Sequence, residues 1–131
     1  MSSRTTLRPN SVILNGDMSG NLTSQVTILQ GITIVSYTYA WAGVLPVGNI
    51  TVEVCNDYAV GPNGQTVASP GTWIQIPFEV NGSVVTSVPV SGNNGGGFLR
   101  LFAPGSYSIR TLYTATSGTG SLTATINGQV S

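Results

Sequence analysis

The charge of this 131-residue chain rests on eight side chains: Arg4, Arg8, Arg100 and Arg110 against Asp17, Glu53, Asp57 and Glu79. Lysine and histidine are absent. Without histidine the chain lacks the commonest general base and the commonest metal ligand, and no serine or cysteine can join the usual imidazole-based triad. A paired-carboxylate hydrolase needs two acids in one cleft. Glu53 and Glu79 fall within strand-like runs, Asp17 and Asp57 fall in loops, and nothing in their spacing brings two together. The expectation is therefore a non-enzyme with no catalytic residue, no cofactor and no metal site.

Weaker signals resolve the same way. Asn56-Asp57 could open a calcium loop, but such a pair in a loop reads as turn chemistry, its side chains capping nearby backbone. The run Gly92 to Gly97 is glycine-rich like a phosphate cradle, yet it has no lysine and no following helix. Cys55 is the sole cysteine, so no internal disulfide forms, and it reads as a small semi-buried apolar residue.

Charged residues make up 6% of the chain, against about 25% in ordinary soluble proteins, and the net charge is zero. A free monomer of this kind lacks the repulsion that keeps molecules apart, whereas a surface of Ser, Thr, Asn, Gln and Gly suits packing against neighbours. Four scattered arginines do not make a nucleic-acid groove, so no direct nucleic-acid partner is expected. The N-terminus has no signal-peptide run and no stretch approaches a membrane helix, which points to synthesis in a cytoplasm without a transmembrane segment.

The elements that must carry these residues are strands. Val, Ile, Thr and Tyr dominate the apolar runs, and 17 glycines and seven prolines punctuate them. Strands are predicted near residues 11–14, 22–29, 32–41, 49–56, 72–78, 84–90, 98–102, 106–115 and 121–127. Leu45-Pro46-Val47-Gly48, Val80-Asn81-Gly82-Ser83, Ala103-Pro104-Gly105 and Ser117-Gly118-Thr119-Gly120 read as links or turns, and residues 57–71 and 91–97 as longer loops. The predicted fold is all-β: a single antiparallel β-sandwich, jelly-roll-like, of about eight strands over residues 11–131. Residues 1–10 form a flexible N-terminal arm.

One strand stands apart. Val35, Tyr37, Tyr39 and Trp41 share a face while Ile32 and Ile34 open the other, so both faces have something to bury. That calls for cover by a second layer or by another subunit. The candidate subunit-contact residues are accordingly Tyr37, Tyr39, Trp41 and Tyr58, with Arg4 and Arg8 of the arm as a tether. The aromatics could alternatively include a sugar-stacking platform, although in small sandwiches most aromatics are core.

The segment Arg110-Thr111-Leu112-Tyr113-Thr114-Ala115-Thr116-Ser117-Gly118-Thr119-Gly120-Ser121-Leu122 resembles a pattern in small virion-associated β-sandwich proteins of bacteriophages. Upstream, Tyr39-Ala40-Trp41, Ile50-Thr51-Val52-Glu53-Val54, Asn56-Asp57 and Trp73 follow in the matching order, so the resemblance spans about Gly20 to Gly128. The ending Gly128-Gln129-Val130-Ser131 departs from it where a lysine is common. The resemblance implies a jelly-roll-like or discoidin-like sandwich in a virion: a minor capsid, vertex or decoration subunit, homo-oligomeric and contacting other capsid proteins. The alternative is a glycan- or receptor-binding module on a virion surface. Arg110 is expected to be paired, with Glu53 or Glu79 as partner, or exposed, because a buried lone charge is costly.

Overall fold

The computed structural model describes residues 6–29, 32–60, 67–102, 106 and 108–129. These are all-β with antiparallel pairing throughout. The strands are β1 (Thr6–Asp17), β2 (Leu22–Thr23), β3 (Thr27–Ile28), β4 (Ile34–Cys55), β5 (Ala59–Val60) and β6 (Val67–Ser69). They continue with β7 (Ile74–Gln75), β8 (Phe78–Val80), β9 (Ser83–Val85), β10 (Val88–Val90), β11 (Asn94–Phe102) and β12 (Ser108–Gln129). Ten of them form one sheet of backbone order β1-β12-β4-β11-β8-β9, while β5 and β6 pair separately.

The frame is a ribbon of two 22-residue strands, β4 and β12, paired from Ile34↔Gln129 to Cys55↔Ser108. Laid flat it would run about 73 Å, whereas a compact domain of this length has a radius of gyration of about 14 Å. The ribbon folds over. Thr111 sits opposite Val52 in the ladder, and along β4 Val52 lies 13 residues from Tyr39, about 43 Å of straight strand. Yet the Tyr39 hydroxyl lies 2.7 Å from Thr111 Oγ1, in the buried interior. The two halves of the ribbon therefore face each other.

Register slips between Ala115 and Ser117 and between Ser117 and Thr119 mark the fold line as bulges. Leu45 (φ 47°) and Gly118 (φ 83°) both take left-handed backbone there. Such a conformation costs a residue with a side chain about 1–2 kcal/mol. A Cβ on Gly118 would strike the Leu45 carbonyl, so only glycine fits.

The core lies between the halves. Val35, Tyr37, Tyr39, Leu122, Ala124 and Ile126 come from one, and Ile50, Val52, Ile109 and Tyr113 from the other. Short strands cross between them. Pro77 separates β7, which pairs with β4 at Glu53 and Val54, from β8, which pairs with β11 across the core. Similarly β9 joins β8 in one half and β10 pairs β4 at residues 48–50 in the other.

The Asn-Gly hairpin is present: Val80 pairs with Ser83 across Asn81 (φ 51°) and Gly82 (φ 84°). Four expectations change. The links at residues 45–48 and 117–120 are not turns but the fold line of continuous strands. Residues 94–97 are strand, not loop, because Gly95 lies against the Trp41 indole and Gly96 against the Tyr39 carbonyl, where a side chain would collide. Among the described residues twelve strands stand in place of about eight, and the sheet order is open, because the long segments are crossed by several two- and three-residue strands. Finally β1 begins at Thr6, pairing Thr6↔Gln129 and Leu7↔Gly128, so residues 6–10 belong to the sheet and not to an arm; residues 1–5 lie outside the described ones. The turn at Ala103-Pro104-Gly105 also lies outside them.

Candidate interaction surface

Alternation decides what reaches the outer face of the half built from β11, β4 and β12. In Phe98-Leu99-Arg100-Leu101-Phe102, Leu99 and Leu101 are buried, so the odd-one-out arginine and both phenylalanines point outward. The ladder sets them in rungs: Phe102 beside Ile34 and Gln129, Arg100 beside Ser36 and Asn127, Phe98 beside Thr38 and Thr125. Phe98 and Phe102 are 52% and 55% exposed. Arg100 lies between them, its guanidinium carbon 6.0 Å from the Phe98 ring centre and 5.5 Å from that of Phe102. Its Nη2 donates to Glu79 Oε1 at 2.9 Å, across the β11–β8 pair. The result is a shallow cleft of about 220 Å³, floored by Ile34 and Ser36, walled by phenylalanine and carrying a neutralised ion pair.

A second apolar patch caps the fold line. Val44 and Leu45 are 68% and 63% exposed and Val47 is also exposed, while Pro46 is buried beneath them. Asn93 holds this apex, its Oδ1 accepting the Leu45 N–H at 2.9 Å and its carbonyl accepting the Gly43 N–H at 2.7 Å. No Asp, Glu, Lys or Arg occurs in the sequence between Asp17 and Glu53, or after Arg110, so both strands of the apex are uncharged.

A third cluster lies on the outer face of the other half. Arg110 and Glu53 are ladder partners, and Nε and Nη2 of Arg110 both donate to Glu53 Oε1, at 2.9 and 2.7 Å. The guanidinium stacks 4.1 Å from the Trp73 ring centre, and Tyr58 lies beside Trp73 with ring centres 6.1 Å apart. Below them Asp57 Oδ1 accepts from the Cys55 thiol at 2.9 Å and from the Thr72 N–H at 2.7 Å. Those bonds hold the Asp57 carboxyl below its ordinary pKa, the thiol contributing most. Their contribution is present above the ordinary carboxylate range and is lost as pH falls through the lowered value. The expected pairing of Arg110 is thus met by Glu53.

Arg110→Met is expected to lower stability by about 1–2 kcal/mol, because it strands a half-buried Glu53 and uncovers Trp73. Adding Glu53→Gln should return part of the loss. Urea midpoints unchanged by Arg110→Met would remove any special role for the pair.

Tyr37, Tyr39 and Trp41 lie within the chain's own core, 0%, 2% and 9% exposed, so their contacts are with this chain rather than with a neighbour. Tyr58 is half-buried against Trp73. Arg8 is a β1 residue whose side chain is not described, and Arg4 lies outside the described residues. The residues that sequence reasoning missed are Phe98, Phe102, Val44, Leu45 and Val47. For the phenylalanines a signal existed: an arginine at the centre of an alternating five-residue strand carries its own-face neighbours outward with it.

Among the described residues no three of His, Cys, Asp or Glu cluster as metal ligands, and no helix is long and apolar enough to cross a membrane. No protein family and no curated protein sequence matches the chain. The crystal structure of SPBc2 prophage-derived protein YomS shares the fold, with a TM-score of 0.58 and 7% identity over 97% of this chain and 98% of that one. At that identity the likeness is one of fold.

Proposed function

We propose that this chain is a non-enzymatic structural protein of a bacteriophage particle, a minor capsid, vertex or decoration subunit that assembles through contacts with its own copies and other virion proteins. The observation that carries the proposal is the pair of exposed apolar patches, Phe98/Phe102 and Val44/Leu45/Val47, on a chain of zero net charge. Clustered apolar exposure of this kind marks interaction sites. The fold shared with a prophage-derived protein and the resemblance of residues 110–122 to virion-associated sandwiches support the phage setting. In this reading the doubled sheet serves as a jelly-roll-like sandwich scaffold. The chain is made in the host cytoplasm and ends in the virion.

Particles banded on a density gradient from a culture expressing the chain test this. Peptides of the chain should co-migrate with the particle band and persist through salt washes. Recovery solely in the particle-free fractions would contradict the proposal.

A second reading, a glycan-binding module on the virion, draws on Tyr58 beside Trp73 with Arg110 and Glu53 at hand. Aromatic faces flanked by charged donors and acceptors suit sugar stacking. It expects signal on a glycan array that Trp73→Ala abolishes, and a blank array counts against it.

A further inference from the structure

The apex and the cleft lie at opposite ends of the first half of β4. Ile34 floors the cleft at the start of β4, and Leu45 stands at the fold line, 11 residues further on. That is about 36 Å of strand, so a copy cannot seat its own apex in its own cleft. Each copy instead presents a projecting apolar tip at one end and an apolar recess at the other.

Three observations link tip to recess. Leu45 keeps a left-handed backbone (φ 47°) and exposes its side chain, although asparagine or glycine would hold that backbone with less strain. The leucine therefore costs the monomer, and its largely exposed side chain returns little within it. The cleft, about 220 Å³, falls below the roughly 300 Å³ where small-molecule pockets begin, and so suits one or two side chains. The hydrogen-bonding groups are also complementary. The tip is uncharged, and at its bulges backbone groups leave the ladder. Arg100 has further N–H donors beyond its bond to Glu79, facing whatever carbonyl oxygens enter the cleft.

We propose that residues 44–47 of one copy seat in the Phe98/Phe102 cleft of the next, a head-to-tail contact that closes into a ring or extends as a row. This rests on the assembly reading above and names the surfaces that carry it. Contacts of this heterologous type close only if the rotation between copies permits.

Light scattering on three proteins and one mixture provides the test. The wild type should be multimeric at high concentration. Leu45→Asn, which lacks the tip, and Phe102→Ser, which lacks a cleft wall, should each run at the 13.5 kDa monomer mass. Leu45→Asn should also melt at a higher temperature than the dilute wild type, since asparagine tolerates the left-handed backbone. Mixed in equal amounts, the two variants should form a dimer that grows no further, because one intact tip and one intact cleft remain. A mixture that stays monomeric, or variants that assemble like the wild type, would overturn the contact while leaving the assembly reading intact. A wild type monomeric at every concentration would overturn the contact and the self-association in that reading, while the particle band decides its contacts with other virion proteins. Flotation of the wild type, but not of Leu45→Asn, with neutral phosphatidylcholine vesicles would assign the tip to a bilayer and overturn the contact as well.

Discussion

Gly118→Ala is expected to cost about 3 kcal/mol or more, whereas Gly82→Ala costs about 1 kcal/mol. Their backbones are nearly identical, with φ of 83° and 84°. The left-handed strain is thus common to both substitutions. The surroundings differ. A Cβ at Gly82 meets nothing within 4 Å, while one at Gly118 meets the carbonyl and carbon of Leu45 and the Cα of Pro46. Those are backbone atoms of the facing strand, and they move only if the fold line opens. Opening it separates the halves that enclose Tyr39 and Thr111. Guanidinium unfolding of both variants reads the difference, and equal losses would mean that the ribbon does not fold over at this point.

Raising the pH should unfold the protein cooperatively within a few units above about pH 10. Burial pushes the hydroxyls of Tyr37, Tyr39 and Tyr113 above their ordinary pKa; for Tyr39 the bond with Thr111 offsets part of that. A group whose folded pKa is raised contributes stability that is complete below its unfolded pKa and is lost as pH climbs towards the folded value. Each tyrosine in that window contributes a slope of up to about 1.4 kcal/mol per pH unit, so the two most deeply buried, Tyr37 and Tyr39, together approach about 3 kcal/mol per unit. Against a domain stability of roughly 5–15 kcal/mol, that slope is decisive. Ultraviolet absorbance should show these tyrosinates forming only as the far-ultraviolet sheet signal disappears. Smooth ionisation of all five tyrosines with the sheet signal intact would contradict the buried placement.

The sequence made the strand content, the shared face of Val35, Tyr37, Tyr39 and Trp41, and the Asn81-Gly82 hairpin legible, because each depends on neighbours two or three residues away. It misled where glycine and proline served long-range contact. Pro46 and Gly118 look like turn residues, yet each meets a strand segment about 70 positions distant. Gly95 looks like a loop residue because its reason, the flat face of Trp41, is 54 positions upstream. The candidate surface was half legible. Alternation around Arg100 places Phe98 and Phe102 outside, but only the folded ribbon shows that Leu45 projects. Tyr37, Tyr39 and Trp41 read as subunit contacts but are core, because the layer covering them is the second half of their own ribbon.

Assembly through exposed apolar surface is the central claim, and molar mass across a concentration series tests it most directly. Size exclusion with light scattering should show a mass several times 13.5 kDa that falls on dilution. A constant 13.5 kDa from the most dilute to the most concentrated sample would contradict it.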